Sequence, residues 1–108
     1  MLPKSSRLTR GGIAELSKGK SASTALISMR FAPAQNIKFS VSVSKKVAPT
    51  AVARNTMRRR VYSLLRRFLG EIKAPVHAMI MPKKELVGAS PEVIERELRA
   101  VLVKAGLI

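Results

Sequence analysis

The chain has no cysteine, no aspartate and a single histidine, and these absences exclude several kinds of site. Without cysteine the protein can form neither a disulfide nor a zinc finger, and a reducing compartment, the cytoplasm, is expected. No apolar run is long enough for the core of a signal peptide or for a membrane span. The sequence therefore predicts a cytoplasmic protein without disulfides or membrane-spanning segments.

Side chains that could carry out catalysis are equally scarce. Glu15, Glu71 and Glu85 lie in different parts of the chain, each near a lysine, and form neither paired carboxylates nor a metal-ligand spacing. His77 lies in an apolar stretch, which is more typical of a core or edge histidine than of a general base. There is no glycine-rich phosphate loop. We therefore predict a binding protein with no catalytic and no metal-binding residues of its own.

Positive charge is what the chain has in excess. Its 108 residues, enough for one domain with a modest core, include 21 lysines and arginines against 6 glutamates, for a formal net charge of +15. Between Lys45 and Arg67 there are eight basic residues and no acid. Charge of this density is tolerated only where solvent or a polyanion screens it. The composition favours a polyanionic partner, with nucleic acid first and an anionic membrane surface second.

Hydrophobic patterns predict a strand that leads into this basic stretch and a long helix within it. Apolar and polar residues alternate from 37 to 44, as in a strand with one buried face, and the apolar members are Ile37, Phe39, Val41 and Val43. Farther along, apolar residues recur at helical spacing, at Val61, Leu64, Leu65, Phe68 and Ile72. At about 100° per residue, the opposite side of that helix is predicted to carry Asn55, Arg59, Tyr62 and Arg66.

A basic helix face that is simply solvated is the alternative to a binding face. Two features of the sequence argue against it. The helix uses arginine, whose planar fork matches phosphate geometry and stacks on bases. No glutamate lies four residues from Arg58, Arg59 or Arg60, so salt bridges within the helix do not account for these side chains.

Before the basic stretch, the pattern predicts a short helix and a hairpin. The helix is capped by Thr9 and runs to Leu16 or Lys18. The residues that follow are predicted to form a loop (19–23), a strand (25–31) and a turn (32–36). This strand is expected to pair with the strand 37–44 as an antiparallel hairpin. The segment 48–51 is left open between a loop and a short extra strand.

After the basic helix, the pattern predicts one more strand and one more helix. The apolar run Val76–Met81 is expected to be a short, central strand. Ser90 as cap and Pro91 at the first position begin the last helix, and Gly106 ends it. The predicted buried stripe of this helix is Ile94, Leu98, Val101, Leu102 and Ala105. The order of elements predicts a single α+β domain, with helices packed against a small sheet.

The run SVSKKV, followed by AVARN and by MRRR at the start of a helix, resembles the protein subunit of bacterial ribonuclease P. In that family a SVSKK strand end leads through a short connection to a helix that begins with an arginine-rich RNR motif. The residues that match this motif and its following basic pair are Arg54, Asn55, Arg58 and Arg59. Thr56 replaces the second arginine of the motif, and Tyr62 stands where another arginine is common. The opening LPKSSRLTR and the closing KAGLI extend the resemblance to nearly the whole chain.

The resemblance implies both a fold and a function. The fold is an α-β-β-(β)-α-β-α sandwich of the ribosomal protein S5 domain 2-like type, with a left-handed βαβ crossover. A single RNA-binding domain would span residues 1–108, with residues 1–8 flexible. In the implied ribonucleoprotein, the RNA subunit uses Mg²⁺ to cleave the 5′ leader from precursor tRNA, and the protein alone is not catalytic. The implied partners are ribonuclease P RNA and precursor tRNA, with neither a membrane nor an obligate protein partner.

Roles for individual residues follow from this resemblance and from their positions. Contact with the RNA subunit is expected from Arg54, Asn55, Arg58, Arg59, Arg60 and Arg66, where the positive end of the helix dipole adds to their field. Contact with the precursor tRNA and its leader is expected from Lys45, Lys46, Ser42, Ser44, Ile13, Phe31 and Tyr62. Tyr62 is a candidate for stacking on a base, an ordinary exposed tyrosine being the alternative. For Ile13 and Phe31 a place in the core is the alternative.

Three other hypotheses remain open at this point. A small ribosomal or general RNA-binding protein would share the charge and size, but would bind ribosomal RNA. A sequence-indifferent DNA-binding protein would bind duplex DNA as well as structured RNA. Residues 1–34 are basic and poor in acid, as in a transit peptide, although Pro3, Gly11 and Gly12 disfavour an amphipathic helix there.

Overall fold

The computed structural model of the protein describes residues 19–108, in which two α-helices pack on one face of a four-stranded sheet. The strands are β1 (Lys20–Ser23), β2 (Ile27–Pro33), β3 (Lys38–Val41) and β4 (Val76–Pro82). The helices are α1 (Ala51–Leu65) and α2 (Pro91–Lys104), and short 3-10 helices lie at Arg66–Glu71 and Lys84–Leu86. The predicted α+β class is confirmed. The helix predicted after Thr9, together with Ile13, lies outside the described residues.

The sheet has the strand order β1-β2-β4-β3, with β4 in a central position as predicted. β2 is antiparallel to both β1 and β4, whereas β3 is parallel to β4. Ile80 of β4 is opposite Met29 of β2 on one side and Val41 of β3 on the other. The basic helix α1 therefore connects two parallel, adjacent strands. The left-handedness of this crossover stays a prediction.

The predicted hairpin between the strands 25–31 and 37–44 is wrong, because β4 lies between β2 and β3. Alternate residues of β4 are buried along its entire length, and pairing on both edges satisfies its backbone while keeping those side chains in the core. The short connection after β2 is long enough to pass over one strand. Two strand spacings are about 10 Å, and four extended residues reach about 13 Å.

The loop predicted at 19–23 is also wrong, because β1 pairs with β2 along the sheet edge. The side chains of β1 are mostly exposed, so the sequence KSAS has no apolar alternation that would have revealed a strand. Gly19 precedes β1 at a close approach of two backbones, where a Cβ atom would collide with the carbonyl oxygen of Phe31. The open segment 48–51 contains no strand and leads directly into α1.

The core lies between one face of the sheet and the two helices. The sheet contributes Ile27, Met29, Phe39, Val41, Val76, Ala78 and Ile80. The helical side contributes Met57, Val61, Leu64, Leu65, Phe68, Ile94, Leu98, Val101 and Leu102. The period-2 and helical stripes predicted from the sequence are therefore the surfaces that meet in the core.

The two α-helices begin with side-chain caps. The Thr50 hydroxyl accepts a hydrogen bond from the Ala53 N–H at 3.1 Å at the start of α1. As predicted, Ser90 caps α2, whose first residue is Pro91, and Gly106 follows the helix with a positive φ of 77°. None of the helices between residues 19 and 108 is long and apolar enough to cross a membrane.

Candidate nucleic-acid interface

The sheet face opposite the helices is polar and bears positive charge, and we call it the outer sheet face. Because side chains alternate along a strand, this face carries the residues between the buried ones. Its members are Ser21, Ser23, Ser28, Arg30, Ala32, Lys38, Ser40, His77, Met79 and Met81, and Ser42 follows directly after β3. No acidic residue belongs to it. An acid-free, hydroxyl-rich surface with basic side chains is suited to an anionic ligand.

A groove of about 830 Å³ runs along one end of the outer sheet face. The predicted leader-binding residues Ser42 and Ser44 both line it, so the structure brings these two together. Serines of two other strands, Ser21 and Ser23 of β1 and Ser28 of β2, also line the groove. Hydroxyl groups can donate or accept hydrogen bonds, and phosphate oxygens and base edges present partners for both.

Basic side chains from separate elements complete this groove, namely Arg30, Lys83, Lys84 and Lys104. Lys83 Nζ donates to the carbonyl oxygen of Thr24 at 2.7 Å, and Lys104 Nζ donates to that of Ser23 at 2.8 Å. These bonds anchor the turn between β1 and β2 against β4 and α2. They also hold two ammonium groups at the wall of the groove.

These four groove cations were not predicted from the sequence. Each stands alone in its segment or next to a single lysine, and together they span residues 30 to 104. No local pattern links them, since only the sheet pairing and the docking of α2 bring them to one place. The only signal in the sequence was weak, namely the basic pair Lys83 and Lys84 directly after the apolar run that forms β4.

At the start of α1, the residues of the arginine-rich motif divide into structural and exposed members. Arg54 Nη1 donates to the carbonyl oxygens of Ala48 and Pro49, at 3.0 Å each, and so holds the connection that leads into the helix. Arg58 Nη2 donates to the Asn55 side-chain oxygen. The motif therefore orders the helix start through its own contacts.

Exposed guanidinium groups continue along α1 and at the start of the 3-10 helix that follows it. Arg59, Arg60 and Arg66 are all exposed, and Asn55 is exposed one turn before Arg59. In contrast, Arg67 is paired with Glu95 at 3.4 Å. The first turn of α1 contains no acid, so the positive end of its dipole is not neutralised by its own sequence. This face of α1 can therefore accept phosphate groups.

Lys45 and Lys46 lie in the turn between β3 and α1, and both are exposed. The turn is closed by the N–H of Val47, which donates to the carbonyl oxygen of Ser44 at 3.1 Å. Since Ser44 lines the groove, the two lysines lie between the groove and the start of α1. The predicted basic residues thus follow one another along the chain from the groove to the start of α1.

The prediction that Tyr62 is exposed and stacks on a base is wrong. Tyr62 is only 7% exposed, and its hydroxyl oxygen accepts a hydrogen bond from the Val41 N–H at 3.0 Å. Although Tyr62 lies well away from the centre of the apolar stripe of α1, the edge strand β3 packs beside that part of the helix. The tyrosine covers the open edge of β3 and has no face left for a base.

Phe31 does not join the groove either. Phe31 of β2 and the buried Phe39 of β3 are both paired with Ala78 of β4. Because paired residues lie on the same face of a sheet, the Phe31 side chain lies on the face that is covered by the helices. It is half-buried and packs against the core. The core alternative for Phe31 is therefore the better description, and Ile13 lies outside the described residues.

Comparisons with known proteins agree on one family. The family model for Ribonuclease P matches residues 2–106. The ribonuclease P protein component of Microcystis aeruginosa (strain NIES-843 / IAM M-2473) is 37% identical over 71 residues, which are 66% of this chain and 59% of that protein. That of Thermus brockianus is 36% identical over 93 residues, 86% of this chain and 55% of that protein. The chain thus spans somewhat over half the length of these curated relatives.

Solved structures with the same fold carry the same name. A Staphylococcus aureus RNase P protein mutant superposes with a TM-score of 0.86 at 20% identity, over 97% of this chain and 92% of that chain. The RNase P protein of Thermotoga maritima superposes with a TM-score of 0.78 at 22% identity, over 89% and 94%. At such identities these structures are evidence for the fold, whereas the family model covers nearly the whole sequence. The chain belongs to the family of ribonuclease P protein components.

Proposed function

We propose that this protein is the protein subunit of a ribonuclease P ribonucleoprotein that removes the 5′ leader of precursor tRNA. The RNA subunit, with Mg²⁺, carries out the cleavage. The protein binds that RNA and the leader, and reduces the phosphate repulsion between the two. Membership in the family supports this proposal, together with a net charge of +15 on 108 residues.

The face of α1 is the proposed contact with the RNA subunit. Arg59, Arg60 and Arg66 present forked donors that match phosphate geometry, and arginine remains charged under all physiological conditions. Arg54 and Asn55 serve this contact indirectly, because Arg54 orders the connection before the helix and Asn55 accepts a hydrogen bond from Arg58. The N-terminal end of the helix dipole adds further positive potential.

The groove on the outer sheet face is the proposed site of the leader. Its volume of about 830 Å³ and its open setting suit a segment of single strand better than a duplex. Lysine and arginine side chains at its wall would contact phosphates, and the serines would contact sugars or bases.

The observation that carries this proposal is the connection between the two surfaces. Ser42 and Ser44 belong to the groove, Lys45 and Lys46 to the turn that follows, and Thr50 caps the helix that presents the arginines. A leader in the groove would therefore lie beside RNA bound at α1. This arrangement suits a protein that joins a substrate to a catalytic RNA.

Cleavage of a precursor tRNA by the catalytic RNA of the same organism, at low Mg²⁺, tests the proposal. The wild-type protein should restore 5′ maturation under conditions where the RNA alone is slow. The double variant Arg58→Ala/Arg59→Ala should lose this effect, whereas Val103→Ala, on the exposed side of α2, should retain it. If the wild-type protein binds both RNAs but never alters cleavage, it is a general RNA-binding protein instead.

A further inference from the structure

The location of the aromatic side chains raises a question about how bases are bound in the groove. The sequence contains three phenylalanines, one tyrosine and no tryptophan, and all four rings lie within the described residues. Phe39, Tyr62 and Phe68 are buried, and Phe31 packs against the core from the helix side of the sheet. Single-stranded RNA is commonly held by bases stacked on aromatic rings. The outer sheet face of this protein has no such ring, so a base that lies on this face contacts non-aromatic side chains.

Two methionines occupy the middle of the outer sheet face. Met79 and Met81 belong to β4, the central strand, and are half-buried, whereas Ala78 and Ile80 on the same strand are fully buried in the core. A separation of two residues along a strand is about 6.6 Å. The two methionine side chains can therefore contact different bases of an extended strand.

Neighbouring strands surround the methionines with polar side chains. Met79 has Arg30 of β2 on one side and Ser40 of β3 on the other, and Met81 is opposite Ser28. Met81, Ser28 and Arg30 line the groove together with Ser42, whereas Met79 lies outside its lining, two residues before Met81 and opposite Arg30. In a single-stranded nucleic acid the charged phosphates lie along one side and the flat bases along the other. The apolar strip can therefore contact bases, while the hydroxyl groups and cations beside it contact phosphates.

The chemistry of these side chains predicts little discrimination among bases. A thioether is unbranched and polarisable, so it adapts its shape to any flat ring and forms no strong hydrogen bond. Serine hydroxyls rotate and either donate or accept, so they suit the edge of any base. In addition, Lys83 and Lys104 are held at the groove wall by backbone carbonyls, where they attract phosphates whatever the sequence.

We propose that Met79 and Met81 form the surface on which the leader bases lie, and that this surface binds leaders of different sequence about equally well. The inference rests on the proposed function, because it assigns the ligand of the groove to the leader. It extends that function by identifying the base-contacting side chains and the basis of tolerance to leader sequence.

The test uses the holoenzyme, assembled from the catalytic RNA and full-length protein. Dissociation constants are measured for precursor tRNAs whose leaders are rich in A, C, G or U, and for the same tRNA without a leader. The variants are Met79→Ala/Met81→Ala and Met79→Leu/Met81→Leu. Val103→Ala serves as a control because Val103 is an exposed apolar residue on α2.

We expect the alanine pair to weaken binding of every leader-bearing substrate by about tenfold and to leave the leaderless tRNA unchanged. The leucine pair, which keeps the apolar surface, should remain within about threefold of the wild type. The wild-type holoenzyme should bind the four leaders within about threefold of one another. Thermal unfolding of each variant provides a check that the sheet has formed.

Three results would overturn the inference. The alanine pair could leave leader binding unchanged, it could weaken binding of leaderless tRNA to the same extent, or the wild type could separate the four leaders by more than about tenfold. Failure of the proposed function would look different. In that case the wild-type protein itself would give no preference for leader-bearing substrate over leaderless tRNA.

Discussion

The two α-helices pack on the same face of the same sheet, yet they differ in the charge of their exposed sides. α1 contains four arginines and no acid, whereas α2 contains Glu92, Glu95 and Glu97 beside its basic residues. Both ion pairs found between residues 19 and 108 join α2 to the neighbouring 3-10 helix. The fold requires only the apolar stripe of each helix. The uncompensated charge of α1 is therefore not needed by the fold and is available to the RNA partner proposed above.

The same contrast appears at the helix starts. Ser90 caps α2 and Glu92 follows in its first turn, so the acid offsets the positive end of the helix dipole. Thr50 caps α1 equally well, but no acid follows it. A start without an acid costs α1 some stability in isolation and leaves its positive field available to an anion.

Reversing charge on one side of the molecule at a time should give the largest effect. Arg59→Glu/Arg60→Glu on α1 should weaken binding of the RNA subunit by about 100-fold or more, because it replaces two phosphate contacts with repulsion. Lys73→Glu/Arg96→Glu makes the same change in net charge near α2, and both of these side chains are exposed. This control should lower affinity by less than about fivefold. Filter binding at a fixed salt concentration measures both.

Equal losses of affinity from the two pairs of substitutions would mean that net charge, rather than the face of α1, determines RNA binding.

The salt dependence of RNA affinity distinguishes further between a net-charge effect and specific contacts at α1. With six to ten phosphate contacts, affinity should fall by about 10³ to 10⁵ between 50 and 200 mM salt. Arg59→Ala should reduce the slope of log affinity against log salt by about 1, whereas Arg96→Ala should leave it unchanged.

A smaller effect is expected from Tyr62→Phe, which sharpens the contrast between the buried and exposed sides of α1. Loss of the hydrogen bond from the Val41 N–H should lower the free energy of unfolding by about 0.5 to 1.5 kcal/mol in urea titration. Affinity for RNA should not change. Ser63→Ala, at an exposed position of the same helix, should alter neither quantity. If Tyr62→Phe lowered the affinity for RNA without changing the free energy of unfolding, Tyr62 would have to be regarded as an RNA-binding residue.

The smallest effect is expected from Glu95→Gln, which breaks the ion pair between Arg67 and Glu95. The two side chains are 65% and 38% exposed, so solvent screens the interaction and the loss of stability should stay below about 1 kcal/mol. Thermal denaturation at low and moderate salt would measure it. A loss above about 2 kcal/mol would mean that α2 depends on its ion pairs rather than on its apolar stripe.

Much of the local structure was predictable, because the spacing of apolar residues within each element indicates which of its sides is buried. The alternation Phe39, Val41 and Val43 identified β3, and the spacing of Val61, Leu65 and Phe68 identified α1 with its inner face. Ser90, Pro91 and Gly106 gave the ends of α2. Ser42 and Ser44 are exposed and share the groove, as their place on the wet side of the pattern predicted, although β3 ends at Val41 and the predicted strand ran to residue 44.

The errors in the predictions all concern which elements become neighbours. The insertion of β4 between β2 and β3, and the pairing of β1, depend on backbone partners far away in sequence. The burial of Tyr62 depends on β3 packing beside α1, which a helical wheel of α1 alone does not contain. Likewise, Lys83 and Lys104 join the groove only because distant elements meet at the turn after β1.

The sequence by itself determined the excess of positive charge, its concentration after the strand β3, the apolar stripes of both helices and the resemblance to one family. These properties are local, since each depends on residues within a few positions of one another. Only the tertiary structure decided which cations face one groove, which aromatic rings are withdrawn into the core, and that two methionines lie on the outer sheet face. Those outcomes depend on strand order and on helix docking. Both are set by the whole chain, because the stable fold is the one that leaves the least apolar surface exposed and the fewest backbone N–H and C=O groups without a hydrogen bond.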